Sequence, residues 1–133
     1  MKPAALLLLF VFALPLHAQN RKPPTTLRGV LEEELKTTHD REDWFVPAST
    51  AVAGLTAEQA RWTPRGGGHS VGQLAYHLWF WNSRELANFK GEKSPAFDGN
   101  NDETFNNFNA AQWNDLVKKL NQVLADWDSA VAS

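Results

Sequence analysis

In His69-Ser-Val-Gly-Gln-Leu-Ala-Tyr-His77-Leu-Trp-Phe-Trp-Asn82, a sharp helix start runs straight into an aromatic-rich apolar face. Ser70 is a residue type that accepts a hydrogen bond from the first turn of a helix, and Gln73 stands where its reciprocal capping-box partner belongs. The spacing therefore predicts a helix from Val71. Counted from that start, Val71, Leu74, Leu78 and Trp81 recur at three- and four-residue intervals and predict one buried stripe, with His77 on its edge beside Leu74 and Trp81. A charged imidazole is costly in such a place. His77 is expected to be neutral, with its ring either hydrogen-bonded within the core or bound to a metal ion, and both alternatives stand at this point.

Outward from this segment the same kinds of signal repeat. The helix is expected to run to about Phe89 and stop near Gly91. Thr56 with Gln59, and Asn109 with Gln112, are two further cap pairs. Beyond the second of them, Trp113, Leu116, Val117, Leu120, Val123, Leu124, Trp127 and Val131 predict a helix that reaches the end of the chain. Upstream, Leu27, Val30, Leu31 and Leu35 predict a first helix with Glu32, Glu33 and Glu34 on its solvated side. It is expected to continue through His39, Trp44, Phe45 and Val46 until Pro47 kinks or ends it, with Gly54 as the latest stop.

Thr63-Pro-Arg-Gly-Gly-Gly68 reads as a connector; a phosphate cradle would need a preceding strand and a following Lys-Ser/Thr, and neither is present. Glu92 to Phe108 is a long polar loop whose Phe97, Phe105 and Phe108 predict that it is tied down on the bundle. Asp98, Asn100, Asp102 and Glu103 do not match the spacing of a calcium loop. With no strand pattern and no internal repeat, the class is all-α, a bundle built on three long helices.

The chain has 133 residues, a net charge of −2 and no cysteine, so disulfides and thiol nucleophiles are excluded. Residues 1–18 combine a charged start, an apolar run from Ala4 to Leu14 and a small residue at Ala18, the pattern of a secretory signal peptide. The run is shorter than the roughly 20 residues of a membrane span. Residues 19–26 form a polar lead-in, and residues 27–133 make one domain, exported to the periplasm or the extracellular space. Arg21-Lys22 and Lys118-Lys119 are the longest cationic pieces, too little to track a nucleic acid. The 6 tryptophans and 8 phenylalanines are expected mostly in the core. Trp79, Phe80 and Trp127 widen the apolar faces beyond what one neighbour covers, which predicts an exposed patch through which a homodimer could form. Ser133 follows Ala130-Val131-Ala132 with no cap glycine, so the domain is expected to be C-terminally incomplete.

Thr38-His39-Asp40, Asp43-Trp-Phe-Val-Pro47, Leu55-Thr-Ala-Glu-Gln-Ala-Arg-Trp62 and above all His69 to Leu78 resemble the DinB-like family of metal-dependent enzymes, over Leu27 to the end. The resemblance implies an up-down four-helix bundle in which three histidines hold a divalent metal: zinc, nickel or iron. One ligand comes from the second helix, at the position that His77 matches, and two come from an H-x-x-x-H pair on a fourth helix. That pair is not in this sequence, so three long helices are present, the fourth is missing, and metal binding by this chain is expected to be weak or absent. His69 lies about 12 Å from His77 along the helix axis, too far to share an ion. His39, about 10 Å from the level of His77 by the same rise, is a second candidate. The resemblance implies a hydrolase or thiol transferase acting on a small-molecule substrate of unknown identity. The alternative is a non-catalytic exported module for dimerisation or apolar-ligand binding.

Overall fold

The computed structural model describes residues 22–106 and 108–133; residues 1–18, expected from the sequence to be a signal peptide, lie outside the described residues. Among the described residues there are five α-helices, α1 (Leu27–His39), α2 (Ala48–Val52), α3 (Ala57–Arg61), α4 (Val71–Phe89) and α5 (Ala110–Ala132), one 3-10 turn over Asn101–Thr104, and no strand. The three expected capping boxes all form: Thr56 with Gln59, Ser70 with Gln73, and Asn109 with Gln112. Each satisfies two backbone donors that a helix start leaves open. At the far end of α4, Gly91 turns the chain away with φ 71°, a conformation that a Cβ opposes.

The first helix is shorter than its sequence predicts. It ends at His39, and Pro47 opens a separate helix as its N-cap instead of kinking the first. The Thr37 and Thr38 hydroxyls turn back onto the carbonyls of Glu33, Glu34 and Leu35, bonding that competes with helical continuation. Pro47 then holds Val46 away from helical geometry.

The core sits between α3, α4 and α5, around Ala60, Ala75, Leu86, Phe108, Trp113, Leu116, Leu120 and Val123. Trp113 anchors it, with its indole N–H donating to the Leu55 carbonyl at 2.7 Å. Most tryptophans are less buried than expected, and Trp44 and Trp62 are exposed.

The face that α4 buries is also rotated from the expected stripe. Gly72, Ala75 and Leu86 are buried, whereas Val71, Leu74 and Leu78 are 40%, 47% and 43% exposed. The cause is close approach: a Cβ on Gly72 would stand 2.0 Å from Cζ of Phe108, so the start of α4 packs through its small residues, with Leu86 buried farther along the same face. The displaced leucines line an apolar groove of about 460 Å3 together with Leu35, Val46, Leu120 and Leu124.

Phe108 lies against Gly72, Lys119 over the Trp79 ring, and Trp127 against Phe89. α4 and α5 therefore run parallel, a departure from simple up-down alternation between consecutive long helices. The segment between Lys90 and Asn109 must travel back along the bundle. Its rings fasten it, as expected: Phe97 meets Phe80 and Trp81 at 5.1 and 5.3 Å, and Phe108 stacks on Trp113 at 5.2 Å.

Candidate metal-donor site

His77 stands on the side of α4 that faces the returning segment, half-buried. Its Nδ1 lies 2.6 Å from the Thr104 hydroxyl, and the same hydroxyl lies 2.6 Å from the Asn101 carbonyl. Thr104 is fully buried, with 0% exposure. Phe105 covers the face of the His77 imidazole, with ring centroids 4.2 Å apart and planes 7° apart. The Gln73 amide donates to the Phe105 carbonyl at 3.3 Å, so the residue that caps α4 also holds the covering ring in place. Burial holds His77 below the ordinary imidazole pKa, and the charge of His69 adds to the effect, as desolvation and a like charge both disfavour the imidazolium.

His69 stacks on Phe105 at 3.7 Å. The phenyl ring is thus in stacking contact with both imidazoles, which is a packing role for His69 and not a shared coordination site. His39 is buried at the end of α1, with Nδ1 2.9 Å from Asp128 Oδ2. This bond ties α1 to α5, and it occupies one nitrogen of the second candidate ligand. Among the described residues, no three His, Cys, Asp or Glu side chains come together as a group able to hold a metal ion. A zinc site takes three or four protein donors. The described residues therefore do not by themselves form a closed metal site around the candidate donor His77.

Thr104, Asn101 and Phe105 are the partners that the sequence did not reveal. The turn carrying them has a local mark: Asn100 accepts from the Asp102 N–H at 3.2 Å, and Asp98 from the Asn100 N–H at 2.9 Å, the bonding that favours Asx residues in turns. Nothing local connects that turn to a histidine 27 residues earlier.

No helix of the described residues is long and apolar enough to cross a membrane. No curated protein matches this sequence, and no solved structure matches it. Residues 48–133 do match the model of the DinB superfamily; α1 precedes the matched region, so the resemblance from Leu27 onward reaches further than the match. With the helical bundle and the matched segment together, the chain belongs to the DinB superfamily.

Proposed function

We propose that His77 is one donor to a divalent metal ion, zinc, nickel or iron, in an exported protein that carries out hydrolysis or thiol transfer on a small molecule. The carrying observation is the imidazole itself: held at Nδ1 by Thr104, covered on its face by Phe105, and kept from charging by burial. A neutral ring fixed through one nitrogen is the usual state of a histidine ligand. A bound ion of this kind lowers the pKa of a coordinated water or thiol. The remaining donors are to be sought outside the described residues, and the export reading rests on residues 1–18 of the sequence. The test is metal retained after dialysis against zinc or nickel, measured on the wild type and on His77→Ala. Retention should fall roughly tenfold or more in the variant; equal retention by the two proteins rejects the reading.

A second reading has its own observation. The groove walled by Val71, Leu74, Leu78, Leu35, Val46 and Leu124 has no charged residue in its lining, and apolar surface of this kind drives association. In this reading the protein is a non-catalytic module that pairs with a second copy through the groove, or takes an apolar ligand there.

A further inference from the structure

We infer that Thr104 is a positioning residue that decides which nitrogen of His77 carries the proton. The inference deepens the donor reading of His77 and rests on it for its functional meaning, but not for its chemistry. A threonine hydroxyl has one proton to give and lone pairs to receive. Its oxygen is 2.6 Å from the Asn101 carbonyl, which can only accept, and the Asn101 side-chain oxygen, 3.5 Å away, is a further acceptor. The hydroxyl proton must therefore point toward Asn101, since two oxygens at that distance without a proton between them repel. The remaining short contact, 2.6 Å to His77 Nδ1, then requires the proton to sit on the imidazole. His77 is the Nδ1–H tautomer, and Nε2 is left as the electron-pair donor. Because Thr104 is fully buried, no water competes for the hydroxyl, and Asn101 relays the choice from the 3-10 turn to the ring.

Ring-nitrogen NMR on the uniformly 15N-labelled chain tests this at about pH 8, above the ordinary imidazole value of about 6.5. His77 should show a protonated Nδ1 and an unprotonated Nε2. Thr104→Val, matched in shape but without the hydroxyl, should lose this tautomer bias, and Thr104→Ser should restore it, with circular dichroism confirming that both variants fold. A wild-type ring protonated at Nε2, or a bias unchanged in a folded Thr104→Val, overturns the inference. The wild-type spectrum alone decides the matter if the valine variant does not fold. Zinc titration of the same sample separates the two proposals: the stated tautomer without any metal-induced change at Nε2 rejects the donor role and leaves the positioning role standing.

Discussion

A proton added to His77 meets a half-buried ring beside another histidine, and the folded state resists it. Because the folded pKa is held below the unfolded value, the unfolded chain binds the proton first as the pH falls. Stability is thus fully present above about pH 6.5 and is progressively lost as the pH drops through the ordinary imidazole range toward the folded pKa. Urea midpoints measured from about pH 8 to pH 5 should fall across that range, and the fall should shrink in His77→Gln; identical profiles would contradict the assigned environment. Gly72 is the other residue on which much turns. With Cζ and Cε1 of Phe108 only 2.0 and 2.2 Å from where an added methyl would stand, Gly72→Ala should destabilise by about 1–3 kcal/mol, despite alanine's better helix propensity. A denaturation midpoint at or above wild type would refute that packing. Glycine in the first turn of a predicted helix gave no hint of this, since its partner lies in a segment with no periodicity of its own.

Helix starts are where local chemistry is strongest, and all three capping boxes were legible for that reason: donor and acceptor sit three residues apart. Asn109→Ala removes the acceptor for the Gln112 N–H at 3.0 Å and should cost about 1 kcal/mol. For a domain of this size that is a drop in Tm of about 4 °C, readable by calorimetry, and Asn109→Ser should retain most of the stability. The buried face of α4 was less legible. Periodicity gave the helix and its length, but Val71, Leu74 and Leu78 form as regular a stripe as Gly72, Ala75 and Leu86. Which stripe turns inward depends on how closely the Phe108 ring can approach, a tertiary fact. The course of the chain after His39 was hidden for a similar reason, since the Ser49 hydroxyl that donates to the His39 carbonyl comes from ten residues further on, beyond any local pattern.

For the molecule as a whole, the class and the long helices followed from sequence patterning, while the parallel setting of α4 and α5 did not, because connection length bounds direction without fixing it. The groove left by the displaced leucines gives the association reading a direct check. Leu74→Glu places a charge among uncharged walls and should raise the dimer dissociation constant roughly tenfold or more in sedimentation velocity; a wild type that stays monomeric at high concentration removes the second copy as occupant. Parallel neighbours also carry a topological consequence. A tight hairpin between antiparallel helices sets their register at the connection, but here the two helices share no such turn, and alignment falls to Phe97, Phe105 and Phe108 gripping α4 on the way back. A protease nick at exposed Gly99 would therefore leave each half of the strap clamped by its own ring contacts, and the severed pieces should stay associated as a noncovalent pair until those rings let go.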